Sequence, residues 1–238
     1  MPTKLATGVY AVDVCTYLPD AKTLIVADLH LGYEESLGRQ GVLVPKTMFK
    51  RIIKRLDWIL EHVAVEHVVL NGDVKHEFGT ISTQEWREVR RFVEYLQKKG
   101  IAITVVKGNH DTILGPMARV LQLKEVKEAR HRDILIVHGD YVPQKLAPII
   151  LMGHEHPAII LREKAKSEKF KCFLKGKYKK CTLIVQPSMN PLTEGTDVLK
   201  EQVLSPLIKD ILSFEAFIID DKTHEVLPFG KIRKFSSQ

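Results

Sequence analysis

Five times along the chain a short apolar run of strand character stops at a cluster rich in Asp, Asn and His. Residues 23–27 run into Asp28, Leu29 and His30, and residues 67–70 into Asn71, Gly72 and Asp73, with His76 three positions on. Residues 101–106 end at Lys107, Gly108, Asn109, His110 and Asp111; residues 134–137 at His138, Gly139 and Asp140; residues 149–152 at Gly153, His154, Glu155 and His156. Continuous apolar runs of this length read as strands buried on both faces. Their polar endings would then emerge together at the C-terminal edge of a sheet, where open α/β folds hold ligands.

Between the first runs the period changes from strand to helix. Met48, Ile52, Ile53, Leu56, Ile59 and Leu60 form an apolar stripe after Pro45, which predicts a helix whose stripe is packing surface. Ser82 or Thr83 can cap a second helix, with Glu85 in its first turn and Trp86, Val89, Phe92, Val93 and Leu96 facing inward. Lys98, Lys99 and Gly100 end it with cations and a glycine stop. Residues 32–41, Glu-rich and bounded by glycines, read as a short helix or lid. Strand and helix thus alternate from about residue 22 to 106, the pattern of βαβ units on a parallel sheet. The chain should open with a hairpin, since Pro19, Asp20 and Ala21 supply turn chemistry between the run at 9–14 and the run ending at Ala27.

Beyond His138 helical stripes become scarce. Residues 158–162, 170–174, 181–186 and 214–220 are β-rich and read as antiparallel strands, implying a second sheet packed on the first. Residues 187–197 read as a loop, in which Asn190 is taken as a turn residue in preference to a site residue. The whole, residues 1–238, is expected to be one α/β domain.

Composition narrows the setting. With 45% apolar residues over 238 positions the chain can bury a full core. No charged leader precedes an apolar segment, and no apolar run reaches the ~18 residues of a membrane span, so a soluble, cytoplasmic protein without a membrane partner is expected; oligomeric state is left open. The net charge of +7 and pI near 9.2 suit a phosphate-bearing substrate or a polyanion, and equally a Lys- and Glu-rich surface. Residues 162–180 hold nine Lys or Arg against two Glu. They could grip nucleic-acid phosphates, but with only Phe170, Phe173 and Tyr178 interleaved, lysines guarding an exposed edge hairpin are the preferred reading. Cys15, Cys172 and Cys181 lack CxxC spacing, so free thiols are the default. If Gly176 and Lys177 form a two-residue turn, however, Cys172 and Cys181 fall opposite each other within bridging distance.

Pooling the five strand endings gives Asp28, His30, Asp73, Asn109, His110, His138, His154 and His156, with His76 and Asp111 nearby. Carboxylate, imidazole and amide oxygen without thiolate suit Mn²⁺, with Fe²⁺ or Zn²⁺ as alternatives. Eight groups exceed one ion's needs, whereas two ions about 3.5–4 Å apart sharing a carboxylate would use them. His62, His67, His131 and His224 have no such company and read as ordinary surface or core residues.

The series Asp28-Leu29-His30, Gly72-Asp73-Val74-Lys75-His76, Gly108-Asn109-His110-Asp111, His138-Gly139 and Gly153-His154-Glu155-His156 resembles, motif by motif and in order, the calcineurin-like metallophosphoesterase superfamily. Residues 32–36, 75–79 and 190–198 are similar to an archaeal and bacterial group related to the nuclease subunit of the double-strand-break repair complex. The resemblance implies a four-layer α/β/β/α sandwich with two mixed sheets. It implies Asp28, His30 and His156 at one metal, Asn109, His138 and His154 at a second, and Asp73 bridging them. It also implies attack on phosphorus by a hydroxide between the ions, with His110, held by Asp111, as the catalytic histidine. His76 matches a histidine near the site of the repair nucleases and joins the catalytic set. Protein Ser/Thr phosphatases carry Glu where Asp111 stands, so that activity is not expected. The reading is a two-metal phosphodiesterase acting on a phosphodiester of open size, with nucleic acid and nucleotides among the candidates. The alternatives are a phosphomonoesterase for a small phosphorylated metabolite and a non-catalytic scaffold.

Overall fold

The computed structural model describes residues 1–163 and 166–235. The apolar runs become two mixed sheets. The first has seven strands in chain order: β1 (Thr3–Ala6), β2 (Val9–Val12), β3 (Cys15–Leu18), β4 (Thr23–Ala27), β5 (His67–Asn71), β6 (Ala102–Val106) and β7 (Lys124–Val126). Strands β1 to β4 are antiparallel, and β4 to β7 run parallel. The parallel half needs crossovers. Helices α1 (Tyr33–Arg39) and α2 (Met48–His62) connect β4 to β5, α3 (Thr83–Lys98) connects β5 to β6, and α4 (Gly115–Val120) connects β6 to β7. The expected opening hairpin is one reversal of a meander. Asp13 takes a left-handed conformation (φ 52°) and turns the chain once more between β2 and β3.

The second sheet comprises β8 (Ala129–His131), β9 (Ile134–Val137), β10 (Ile149–Met152), β11 (Pro157–Glu163), β12 (Lys166–Tyr178), β13 (Cys181–Val185), β14 (Thr196–Asp197), β15 (Glu215–Ile219) and β16 (Val226–Lys231). Its centre, β10 between β9 and β13, is parallel, and most of the remainder is antiparallel. One apolar cluster runs from Leu56 and Phe92 on the helices, through Ile25 and Val69 of the first sheet, to Ile136, Phe173 and Ile184 of the second. Alternate positions on β12, Cys172 and Leu174, face the other way into a second cluster with Phe214 and Ile232. The fold is therefore the α/β sandwich expected, with one departure in detail. Among the described residues no α-helix contributes to that second cluster; Val198, Leu207, Ile208 and two short 3₁₀ turns, Ile211–Ser213 and Ile232–Lys234, cover it.

One expectation on β12 fails because of the position of its turn. Tyr178 pairs with Cys181 across Lys179 and Lys180, with Lys179 left-handed, three residues beyond the assumed turn. Cys172 therefore pairs with Ile218 of β15 instead of Cys181, and all three cysteines are free, buried thiols. The basic segment lies on a hairpin of β11 and β12 in which most positions of β12 have a strand partner on one side, two partners coinciding only at Leu174 and Lys175. β12 pairs with β11 over 166–171, β15 over 172–175 and β13 over 174–178, and Lys169 and Lys175 lie 3.9 and 4.0 Å from Glu201 and Glu215. The side chains of residues 162–166 lie outside the described ones. No described helix is long and apolar enough to cross a membrane.

Candidate metal centre

Each polar cluster sits where its strand ends, and the backbone bends there in an unusual way. Asp28 (φ 55°), His30 (φ 44°), Asp73 (φ 50°), His154 (φ 68°) and His156 (φ 47°) are all left-handed, a conformation that costs non-glycine residues energy and collects at functional sites. The twist turns residues two apart, Asp28 with His30 and His154 with His156, into the same space. The bends are held by the neighbouring strand endings: the amides of Asp28 and His30 donate to the carbonyls of Gly72 (3.2 Å) and Asp73 (2.8 Å).

Two donor sets meet in that space. Asp28, His30, Asp73 and His156 form one and Asp73, His138 and His154 the other, each with ligand atoms within 4.8 Å of one another. Around the first, His30 Nε2 lies 3.3 Å from His156 Nε2 and 3.7 Å from Asp73 Oδ2, while His156 Nε2 is 3.6 Å from Asp28 Oδ2. Around the second, His138 Nε2 lies 3.1 Å from His154 Nδ1, 2.9 Å from Asn109 Oδ1 and 3.4 Å from Asp73 Oδ2. The same Asp73 oxygen faces both sets, and Asp73 is the residue that the two sets have in common.

Charge in this pocket is set by burial working against close pairing. Burial pushes the Asp73 carboxyl up, but the His138 hydrogen bond and the imidazoles of His138, His30 and His110 more than reverse this, holding it well below the usual range. Burial alone would lower His138, yet Asp73 and Asp28 lift it to about 9. His30 and His154 are lowered, chiefly by burial and then by neighbouring imidazoles, which favours the neutral form that ligates metals. Imidazole nitrogens this close, backed by carboxylates and free of thiolate, form a donor set that fits divalent ions of intermediate hardness.

A third group, His30, His76 and His110, extends the pocket on one side. Burial, then the His110 charge, lowers His76 to about 4. His110 is not held by Asp111 as the resemblance implied. Its Nδ1 is tied to the main-chain carbonyl of His76, and its amide donates to Asp73 Oδ1 at 3.0 Å. Asp111 instead accepts from the amides of Val74 (3.0 Å), Gly108 (3.1 Å) and Lys75 (3.4 Å), pinning two strand endings together. Burial, then Asp73, lifts it to about 7.

Several supports were not read from the sequence. Ser188 Oγ donates to the Asp28 carbonyl at 2.7 Å, and Asn190 Nδ2 to the His30 carbonyl at 3.5 Å. Asn190, taken as a turn residue, is thus buried against the site. Lys171 Nζ donates to the Ser188 and Asn190 carbonyls at 2.7 and 2.5 Å. Glu85 Oε1 accepts from the amides of His76 (2.9 Å) and Glu77 (2.7 Å). None of these carries a sequence signal beyond its residue type, because each depends on a partner distant in the chain.

The family model described as calcineurin-like phosphoesterase matches residues 21–158. Among solved structures, nuclease MPE from Pseudomonas putida shares the fold with a TM-score of 0.70 at 19% identity, over 96% of this chain and 99% of that one. A phosphoesterase from E. coli, Yfce, aligns over 86% of this chain and 95% of that one, with a TM-score of 0.45 at 12% identity. No curated protein matches the chain. With a family model covering more than half of its length and the strand-end motifs gathered into one pocket, the chain belongs to the calcineurin-like phosphoesterase family.

Proposed function

We propose that the protein is a phosphodiesterase that works with two divalent ions, Mn²⁺ foremost, on a nucleotide or nucleic-acid diester. The observation that carries the reading is the pair of donor sets sharing Asp73. Asp28, His30 and His156 would hold one ion, Asn109, His138 and His154 the other, and Asp73 both. Bound ions there would polarise the phosphoryl oxygens and ionise water at neutral pH.

The chain's own groups supply the rest. With its Nδ1 tied to a carbonyl acceptor, His110 keeps the proton on that nitrogen and turns Nε2 toward the site, 3.9 Å from Asp73 Oδ2. When protonated, it can hand the Nε2 proton to a leaving oxygen or neutralise a phosphoryl oxygen. His76, lowered to about 4, is neutral at working pH and suits a hydrogen bond to substrate better than proton donation. A diester is favoured over a monoester because the structure that shares the fold over nearly the whole of both chains is that of a nuclease.

Hydrolysis of bis-p-nitrophenyl phosphate should exceed that of p-nitrophenyl phosphate in Mn²⁺ and vanish with EDTA. A reversed preference would favour the monoesterase, and metal bound without activity on either would favour a scaffold.

A further inference from the structure

Resting on that reading, we infer that Phe78 is a stacking platform for the nucleobase on the leaving side of the scissile phosphate. Among the described phenylalanines Phe78 alone is exposed, at 58%, and burial therefore does not explain it. Its ring lies 3.7 Å from the His110 ring, centre to centre, at 36°. An aromatic face is thereby open to solvent directly beside the imidazole that addresses the leaving oxygen.

The segment that carries it is fixed. Lys75 bridges to Leu31 of the β4 ending, and the His76 amide also donates to the Leu31 carbonyl at 3.2 Å. Glu85 holds the amides of His76 and Glu77, and the Lys75 ammonium, fully buried, is tied to the Glu77 carbonyl. Tyr33 backs the His76 ring at 4.3 Å. Six contacts on the three residues preceding Phe78 make a preorganised mount, which lowers the ordering cost of binding. The ligand class follows from the surface. A flat apolar ring takes any planar ring, stacks on bases without reading their edges, and contributes no charge. The platform therefore predicts affinity for a base with little sequence preference.

The test uses Mn²⁺-loaded protein and two diesters, a dinucleotide and its analogue with hydrogen in place of the base on the leaving nucleoside. Wild type should favour the dinucleotide by about tenfold in kcat/KM, mostly through KM, as one base stacked on one aromatic allows. Phe78→Ala should collapse that ratio toward one, and Phe78→Trp should keep or widen it. An equal fall on both substrates in Phe78→Ala would mean that the ring only shields His110 and would overturn the platform. A wild type indifferent to the missing base would do the same while leaving the phosphodiesterase standing. Hydrolysis of neither dinucleotide nor bis-p-nitrophenyl phosphate would remove both.

Discussion

Gly108 illustrates how little room the site leaves. A methyl group there would overlap the Asp73 carboxylate and backbone nitrogen, and one at Gly72 would overlap the His138 ring. The glycines in these motifs therefore let strand endings approach until their side chains share one pocket. At this scale the roles of His110 and Asp111 separate. His110→Ala should retain two metals per chain by elemental analysis while turnover falls by about 10²–10⁴, the range for a lost general acid. Metal loss would instead make it a ligand. Asp111→Asn sets an amide N–H against the backbone amides the carboxylate now accepts from, so it should cost about 1–3 kcal/mol of stability. The pH profile of turnover should stay where it is. A displaced profile without lost stability would show that Asp111 acts on His110 after all. The four residues Gly108 to Asp111 were legible as a unit from sequence, but their division of labour was not, because the acceptor for His110 is a main-chain carbonyl with no sequence mark.

Helix α3 joins local stability to the site. Ser82 and Glu85 form a reciprocal cap, the Glu85 amide donating to Ser82 Oγ at 3.1 Å and the Ser82 amide to Glu85 Oε2 at 2.5 Å. The other Glu85 oxygen holds the His76 segment. Ser82→Ala should therefore cost about 1 kcal/mol in denaturant unfolding, the usual worth of a cap, with turnover unchanged. Glu85→Ala should cost more and also lower kcat/KM, since it frees the amides that position His76 and Phe78. Equal effects of the two substitutions on activity would contradict this assignment. The cap was visible as Ser82 with Glu85 three residues on. The second duty of Glu85 was not, nor was the turn of β12, where register came from pairing with β13 and β15 and overrode the glycine that local chemistry favoured.

At the level of the molecule the two sheets are tied at the site by one loop. Lys171, on the second sheet, holds the carbonyls of Ser188 and Asn190, whose side chains in turn hold the carbonyls of Asp28 and His30 at the first sheet's edge. Burial, reinforced by the Arg55 charge, lowers Lys171 from 10.5 to about 7. The unfolded chain thus binds more protons between those values, and stability contributed by this residue rises as pH climbs from about 7 to 10.5. A neutral amine still has two N–H groups for the two carbonyls. Lys171→Met should be less stable by about 1–3 kcal/mol, from carbonyls left unpaired. Its deficit relative to wild type should widen over that pH window in denaturant titrations. A deficit constant with pH would mean that the ammonium is not desolvated as placed.

The apolar runs and helical stripes by themselves determined the parallel βαβ character of residues 22–106, the two main helices of that half, the existence of a second sheet and the candidate donor residues. These follow from periodicities of two and 3.6 and from residue chemistry, all written locally. Only the tertiary structure decided which donors share a point, that one Asp73 oxygen faces both sets, and that Lys171 and Asn190 serve the site while Cys172 and Cys181 stay apart. Those facts depend on strand register and on left-handed turns at strand ends, which arise from contacts between segments far apart in the chain.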